Sequence, residues 1–201
     1  MELKETDIQG RIIEKARELF FFFGVKSITM DDIAKHLSIS KKTLYSCYKD
    51  KAEIVNLIMG DLLQAHVAEI LKTKETAANA VEEVLTQSRV LYQIFKEVKP
   101  NVFFEIEKYF PEIAGQFADH RGTCVLESIS QNLERGIAEG LYRNNLDIPF
   151  VARLRLNALM SAFDEKAFEM EMPTLHILNK LTSFYLHAIC SAEGKNFIVE
   201  Q

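Results

Sequence analysis

Residues 29–51 read TMDDIAKHLSISKKTLYSCYKDK, and this stretch organises the rest of the chain. Thr29 and Asp32 have the spacing of a capping box, which predicts a short helix that begins just after Thr29. Ser40 is a favourable N-cap for a second short helix over about Lys41–Tyr48. Two short helices joined by three or four residues are the helix-turn-helix pattern.

The second of these helices has a basic and polar surface. Leu44 and Tyr48 lie four residues apart and are predicted to face the first helix. Lys41 and Lys42 lie at a helix N-terminus, where the helix dipole disfavours positive charge. A phosphate that contacts both the lysines and the backbone N–H groups would make this arrangement favourable. Lys51 repeats this arrangement at the next helix start. The pattern predicts a DNA-binding surface with these contact residues: Thr29, Lys41, Lys42, Thr43, Tyr45, Ser46, Cys47 and Lys51.

Residues 12–55 resemble the DNA-binding domain of the TetR family of transcriptional regulators, and this match covers about a quarter of the chain. The family usually has glycine where this chain has Ser38, often has tyrosine and histidine where it has Ser46 and Cys47, and usually has phenylalanine where it has Tyr48. The resemblance rests on Ala16, Leu19, Phe20, Gly24, Thr29, Ile33, Ala34, Ser40, Lys41, Thr43, Leu44, Tyr45 and Lys51. It implies an all-α regulator, most often a repressor, that binds a palindromic operator as a homodimer.

Charge is distributed unevenly along the chain. Residues 1–51 hold ten Lys and Arg against eight Asp and Glu, whereas the other 150 residues hold fourteen against twenty-one. A mildly basic head on an acidic body suits a DNA-binding module with a separate regulatory part. We therefore expect a helix-turn-helix domain over residues 1–50, and a helical regulatory and dimerisation domain over residues 51–201.

Helical periodicity extends through the whole chain. The first helix is predicted over about Thr6–Phe23, with Phe23 on its apolar face, Phe21 outside that face and Phe22 at its edge. Phe21 and Phe22 are expected to dock the head against the body. Asp50 and Glu53 predict another capping box at the start of the fourth helix. Further helices are predicted over about 51–73, 79–99, 101–110, 111–140, 149–168 and 173–192, with a hinge at 171–173 and a frayed tail from residue 194.

Aromatic residues cluster around the helix break at Pro100. Interrupted helices leave room for a small molecule, and apolar clefts are the usual ligand sites. The resemblance implies an effector pocket here, and an aromatic lining predicts an apolar or aromatic effector. For each single residue, a place in the core remains the alternative. The candidate lining residues are Tyr92, Phe95, Phe103, Phe104, Tyr109, Phe110 and Phe117.

The last two helices carry more apolar residues than one intramolecular face requires. This excess predicts a helix–helix interface, and by resemblance a four-helix dimer bundle. A central position in a larger bundle is the alternative. The candidate interface residues are Leu156, Met160, Phe163, Leu178, Leu181 and Tyr185.

Other classes of function find little support in the sequence. The five histidines form no H-E-x-x-H motif, there is no G-x-S-x-G motif and no glycine-rich phosphate loop, so we predict neither an enzyme nor a cofactor. His120 and Cys124 alone are weak evidence for a metal. The polar first ten residues and the lack of an apolar run near 18 residues predict a cytoplasmic protein without a membrane partner. Two alternatives stay open: a redox-responsive regulator that uses Cys47, and a helical interaction module that does not bind DNA.

Overall fold

The computed structural model describes residues 5–164, 167–168 and 173–198, and in these residues the regular structure is helical, as predicted. An isolated bridge joins Tyr142 to Cys190. A π-helical turn, Arg121–Val125, connects α7 to α8, and a 3-10 helix, Gly194–Phe197, follows α10. The α-helices are α1 Glu5–Phe23, α2 Met30–His36, α3 Lys41–Cys47, α4 Lys51–Thr76, α5 Ala80–Phe95, α6 Pro100–Tyr109, α7 Pro111–His120, α8 Leu126–Ala138, α9 Ile148–Ser161 and α10 Thr174–Ile189.

The chain divides into two compact units. The first unit comprises Met1–Gln64 and Glu97–Gln116, and the second comprises Ala65–Lys96 and Phe117–Gln201. Helix α4 begins in the first unit and ends in the second. The boundary expected after residue 50 lies within the first unit, and the assignment of function to either side of it stays a prediction.

The core of the first unit forms around one face of α1. Ile12, Ala16 and Phe20 are buried there, as their helical spacing predicts. Two neighbouring aromatics correct the prediction, because Phe21 is buried, whereas Phe23 is 54% exposed. The helix-turn-helix pattern could not predict that residues 97–116 join this unit.

The contacts of α1 with that later segment lie near its C-terminal end. The Lys99 ammonium lies 4.3 Å from the ring centre of Phe22, which is 61% exposed. Gly24 ends α1 with a φ of +87°, as expected of a glycine after a helix. A Cβ at Gly24 would lie 2.9 Å from side-chain atoms of Asn101 and Glu105, so α6 approaches this turn closely.

The turn between α2 and α3 uses a strained serine. Ser38 has a φ of +55°, in the left-handed region that favours glycine. Its N–H donates to Lys35 O at 3.0 Å, and the Ile39 N–H donates to Ala34 O at 3.0 Å. These two bonds form a Schellman motif with Ser38 in the position usually held by glycine. Ser38 therefore adopts the turn geometry for which the family uses glycine, and its positive φ costs conformational energy.

Replacing Ser38 with glycine is expected to stabilise the protein. Relief of the left-handed strain exceeds the entropy that glycine adds to the unfolded chain, so the free energy of unfolding should rise by up to about 1 kcal/mol. Urea unfolding measures the change. Ser46→Gly is the matched control, because Ser46 lies within α3 and its replacement should lower stability by about 0.5 kcal/mol. A destabilised Ser38→Gly variant would contradict the assigned strain.

Helix α4 is long and apolar enough to span a membrane by length and composition, with a mean hydropathy of 1.4 over 18 residues. The sequence analysis missed this stretch. The first half of the helix, however, is packed inside the first unit, where Ile54, Val55, Ile58 and Met59 are each at most 1% exposed. Burial against protein accounts for these apolar side chains, so the helix is weak evidence for a membrane span.

The second unit packs α5 against α8 and α10, and α8 against α9. At its centre the Tyr142 hydroxyl lies 2.9 Å from Ala80 O and 3.0 Å from Asn132 Oδ1. Glu83 is 2% exposed and forms an ion pair with Arg135 at 2.9 Å. Buried polar groups in this unit are thus largely paired, as folded proteins require.

Two predicted boundaries near the C-terminus need correction. Helix α9 ends at Ser161, several residues before the predicted end at Phe168. The expected frayed tail instead begins with a 3-10 helix in which Gly194 is buried against Leu141 O. The expected hinge lies partly outside the described residues, since these resume at Pro173.

Candidate nucleic-acid interface and ligand cavity

Side-chain caps fix the two short helices of the predicted DNA-binding surface. The Thr29 hydroxyl accepts a hydrogen bond from the Asp32 N–H, and the Asp32 carboxylate accepts one from the Thr29 N–H, so the predicted capping box is confirmed. The Thr29 hydroxyl also donates to the Asp32 carboxylate at 2.6 Å, and this bond, together with the one from the Thr29 N–H, holds the pKa of Asp32 below its usual value. Ser40 Oγ accepts a bond from the Thr43 N–H at 3.0 Å, which confirms the predicted start of α3.

Helix α3 is anchored through one apolar residue and the tyrosine that follows it. Leu44 is fully buried and Tyr48 is 8% exposed, as their spacing predicts. The Tyr48 hydroxyl donates to Gln9 O at 3.2 Å, which satisfies the polar atom that this chain has where the family has phenylalanine. The opposite side of α3 therefore remains free for a partner.

Exposed polar side chains cover that opposite side of α3. Lys41, Lys42, Tyr45 and Ser46 are exposed, and Tyr45 is 51% exposed. Thr43 is half-buried, and its hydroxyl lies 2.8 Å from Ser40 Oγ. The predicted contact residues on α3 thus share one region of the surface, although their contact with DNA stays a prediction.

Two of the lysines already have partners in the protein alone. Lys41 forms an ion pair with Asp31, which raises the pKa of Lys41. The half-buried Lys51 ammonium donates to Val25 O and Ile28 O, each at 2.9 Å. Burial lowers the pKa of Lys51. Lys51 is therefore a structural tie between α4 and the residues before α2, and a phosphate contact would be an additional role.

The end of α3 leads into α4 through the second predicted cap. Asp50 Oδ1 accepts a bond from the Glu53 N–H at 3.0 Å, as expected. The Glu53 carboxylate accepts its return bond from the Lys49 N–H rather than from that of Asp50. Cys47 is half-buried at the end of α3 and carries a free thiol, so the redox alternative stays a hypothesis.

The second unit contains a cavity of about 50 Å³. Its wall combines apolar side chains with several polar ones, of which Arg155 is 4% exposed and Tyr185 is 8% exposed. The sequence analysis missed Arg155. Its position among the buried Ala152, Leu156 and Leu159 of α9 was the signal, because these four residues share one helical stripe. The lining residues are His66, Ile70, Val84, Gln87, Ser88, Leu91, Val125, Ser128, Ile129, Asn132, Arg155, Leu159, Met160 and Tyr185.

The predicted aromatic lining does not coincide with the lining of this cavity, and the aromatic pocket stays a prediction. None of Tyr92, Phe95, Phe103, Phe104, Tyr109, Phe110 and Phe117 lines this cavity. Phe104 and Tyr109 are exposed, with the Lys108 ammonium 5.7 Å from the ring centre of Phe104. Phe95 is buried, and its ring lies edge-on to His66 and Phe163. Of the seven aromatics, Tyr92, Phe95 and Phe117 belong to the second unit, and Phe103, Phe104, Tyr109 and Phe110 belong to the first.

A histidine pair includes one residue of the cavity wall, the buried His66, and the half-buried His120. His66 Nδ1 lies 2.9 Å from His120 Nε2, where α7 meets the π-helical turn. Burial, together with the neighbouring His120, lowers the pKa of His66 to about 4. Burial, together with Arg121, also lowers the pKa of His120. Neither ring favours a proton in the folded protein at neutral pH. The described residues contain no group of three or more side chains suited to holding a metal ion.

This pair predicts a loss of stability in mild acid. The folded pKa of His66 lies below the unfolded value near 6.5, so the unfolded chain binds the proton first as the pH falls. Stability is complete above about pH 6.5 and falls towards pH 4, with about 2 kcal/mol lost between pH 7.5 and 5. Urea unfolding at both pH values measures this loss. His66→Gln should lose less than half as much, whereas a variant of the exposed His176, His176→Gln, should behave as the parent. An equal loss in His66→Gln would contradict the assignment.

The predicted interface residues on α9 and α10 lie mostly inside the second unit. Leu156, Leu178 and Tyr185 are buried, and Met160, Phe163 and Leu181 are half-buried. The three buried residues already pack inside the single chain, and the interface itself stays a prediction. The exposed apolar residues of the two helices are instead Phe150 at 65%, Leu154 at 57% and Phe184 at 77%.

Comparison with known proteins finds a family match and relatives of similar sequence. The pattern of the family described as "Bacterial regulatory proteins, tetR family" matches residues 12–58. The uncharacterized HTH-type transcriptional regulator YhgD of Bacillus subtilis is 31% identical over 135 residues. That match covers 65% of this chain and 63% of YhgD, so the chain spans less than two thirds of that relative's length.

Solved structures share the fold over nearly the whole chain. A putative transcriptional regulator from Saccharomonospora viridis, in complex with choline, has a TM-score of 0.78 and 18% identity, over 92% of this chain and 99% of that one. SmeT, the repressor of the Stenotrophomonas maltophilia multidrug efflux pump SmeDEF, has a TM-score of 0.71 and 16% identity, over 96% and 93%. At these identities the likeness shows the fold alone.

Proposed function

Because this chain belongs to the TetR family of bacterial transcriptional regulators, we propose that it binds a palindromic operator as a homodimer, represses transcription in the cytoplasm, and is released by a small-molecule effector. The observation that carries the proposal is the surface of α3, where Lys41, Lys42 and Tyr45 are exposed on a helix held by Ser40 and Leu44. Family membership also disfavours an enzyme, and a module that does not bind DNA.

The residues of this surface divide into two roles. Tyr45 has a hydroxyl suited to phosphate oxygens. We also assign a phosphate to Lys51, whose ammonium has a third N–H beside the two that donate to backbone carbonyls. Lys42 has no ion pair among the described residues and is the candidate for base recognition, with guanine as the expected partner. If Lys41 contacts DNA, its ammonium either leaves Asp31 for the DNA or contacts Asp31 and the DNA together.

Two alanine variants test this division. Lys51→Ala should weaken binding to all duplexes alike and lower the salt slope by about one. Lys42→Ala should relax operator preference and cost about 1–3 kcal/mol on the operator. Fluorescence anisotropy on an operator and a scrambled duplex measures both effects.

Lys51→Ala also removes two internal hydrogen bonds, so its fold is checked by circular dichroism, and Lys49→Ala serves as an exposed control. An unchanged salt slope in folded Lys51→Ala would contradict its phosphate role. An unchanged operator preference in Lys42→Ala would contradict base recognition.

Dimerisation is supported by the exposed apolar residues of α9 and α10. Phe150, Leu154 and Phe184 present large apolar side chains on two helices that pack together. A single α3 of seven residues is too short to specify a site, whereas a two-fold dimer reads two half-sites. We therefore assign the interface to these exposed residues, with Met160, Phe163 and Leu181 at its edge.

Release by an effector would follow from a population shift. Helix α4 extends from Lys51 in the first unit to Thr76 in the second, and His66 and Ile70 on it line the cavity. A ligand that fits one setting of α4 better than another changes the spacing of the two heads. They then no longer match half-sites about 34–36 Å apart.

Selection from random duplexes tests the proposed function. The full chain is incubated with a randomised pool, and the bound duplexes are sequenced after several rounds. We expect a palindromic motif whose half-sites are about one helical turn apart, or a multiple of that distance. A pool that remains random, although the protein is folded, would contradict operator recognition. A motif with a single half-site would contradict binding as a dimer.

A further inference from the structure

Arg155 is a buried cation whose binding capacity is partly unused. Its Nη2 donates to Thr182 Oγ1 at 2.9 Å, whereas Nη1 is buried and has no hydrogen-bond partner among the described residues. The guanidinium carbon lies 4.7 Å from the ring centre of Tyr185. Burial lowers the pKa of Arg155 to about 10, so the group remains charged at neutral pH.

No carboxylate in the described part of the second unit balances this charge. The buried acid there, Glu83, is paired with Arg135 at 2.9 Å. Thr182, the hydrogen-bond partner of Arg155, is neutral, and its hydroxyl lies 2.7 Å from Ser88 Oγ. Burying a charge without a counter-charge is strongly unfavourable. An anion bound beside Arg155 would offset the free-energy cost of burying its charge.

A second unsatisfied donor lies in the same wall. The Tyr185 hydroxyl is buried and has no partner among the described residues. Burial raises the pKa of Tyr185, so the phenol keeps its proton and can donate. Arg155 and Tyr185 both line the cavity, together with the apolar Val84, Ile129 and Leu159. The cavity thus offers two free donors, one of them charged, beside an apolar wall.

The volume limits what can enter. A cavity of about 50 Å³ has room for roughly four water-sized groups. This is far below the roughly 300–1,000 Å³ of sites for drug-sized ligands. A carboxylate with a short apolar chain matches both the size and the two chemical halves of the cavity.

We propose that this cavity binds a small organic carboxylate, with Arg155 Nη1 and the Tyr185 hydroxyl donating to its oxygens and the apolar wall holding its chain. That this anion is the effector rests on the proposed function, but the binding itself does not. The inference replaces the apolar or aromatic effector predicted from the sequence with an anionic one.

Isothermal titration calorimetry with three ligands of one length tests whether the cavity prefers a negatively charged ligand. Butyrate, butyramide and butylammonium share their carbon chain and differ in charge from negative through neutral to positive. We expect butyrate to bind with a Kd of about 0.1–1 mM, because so few atoms limit affinity, and to bind at least tenfold more tightly than butyramide. Butylammonium should give no binding. Equal affinity for butyrate and butyramide, or no binding of butyrate, would overturn the proposal and leave an ordered water as the partner of Arg155.

Three variants locate the binding. Arg155→Met should abolish butyrate binding, whereas Arg153→Met, exposed two residues earlier on the same helix, should bind as the parent does. Tyr185→Phe removes the second donor and should weaken binding about fivefold or more. If Arg155→Met does not fold, Tyr185→Phe and the three ligands on the parent chain decide. Butyrate binding that survives in folded Arg155→Met would overturn the site.

The same samples are tested against the duplex selected above, which separates the two proposals. If the protein binds the duplex but binds butyrate no more tightly than butyramide, the carboxylate site is overturned and the proposed regulator stands. Butyrate binding without any duplex binding would support the site and contradict the proposed regulator. Release of the duplex by butyrate, but not by butyramide, would support both.

Discussion

Replacing Phe184 with glutamate is expected to weaken operator binding by about 100-fold, because it should separate the two chains and remove the gain from binding two half-sites together. Phe184 is 77% exposed, so the substitution introduces a charge at the proposed interface without disturbing the core of the second unit. A charge buried without a partner in an apolar interface is strongly unfavourable. Sedimentation equilibrium measures the mass, and fluorescence anisotropy measures operator affinity.

Phe104→Glu provides the matched control for this prediction. Phe104 is 62% exposed on α6 and undergoes the same chemical change, but it lies outside the proposed interface. This variant should keep the parent's mass and affinity to within about twofold. A Phe184→Glu variant that remains dimeric and binds the operator as the parent does would contradict the interface on α9 and α10.

Arg135→Met is expected to lower the free energy of unfolding by about 3 kcal/mol. It leaves Glu83, whose side chain is 2% exposed, without its counter-charge, and breaking a buried ion pair from one side costs about 3–5 kcal/mol. We expect a loss at the lower end of this range, because the Arg135 side chain is 29% exposed and the ion pair is therefore partly solvated. Urea unfolding at neutral pH measures the loss.

The double variant Glu83→Gln with Arg135→Met tests the cause of this loss. It should recover more than half of the stability, since the unpaired charge is gone. Recovery should be incomplete, because Arg135 also donates to Ala77 O at 3.0 Å and to Glu139 at 2.7 Å. A double variant as unstable as Arg135→Met would show that the unpaired charge is not the main cause.

Local rules predicted the head well, because its geometry is set by neighbours in sequence. Thr29, Asp32 and Ser40 form their caps through backbone groups three residues away, and the sequence alone contains that information. Phe23 shows the limit of these rules. Helical spacing assigned it to the core face, but residues distant in sequence decide which side of α1 is covered.

The candidate sites of the body could not be predicted in the same way. An apolar residue on a helix can face its own core or a partner, and spacing does not distinguish Leu178, which is buried, from Phe184, which is exposed. Aromatic content likewise suggested a pocket near Pro100. The cavity is instead marked by a charged residue, Arg155, at a position where the helical stripe is otherwise apolar.

A salt titration of DNA binding tests the central claim most directly. Binding of the full chain is measured on the DNA that flanks its own gene and on a scrambled duplex of equal length. We predict tighter binding to the native fragment, with log K falling linearly with log salt by about 0.9 for each phosphate contacted. The scrambled duplex should bind weakly, with a salt dependence of its own. Folded protein that shows no salt-dependent binding to either duplex would contradict the assignment of α3 as a DNA-reading helix.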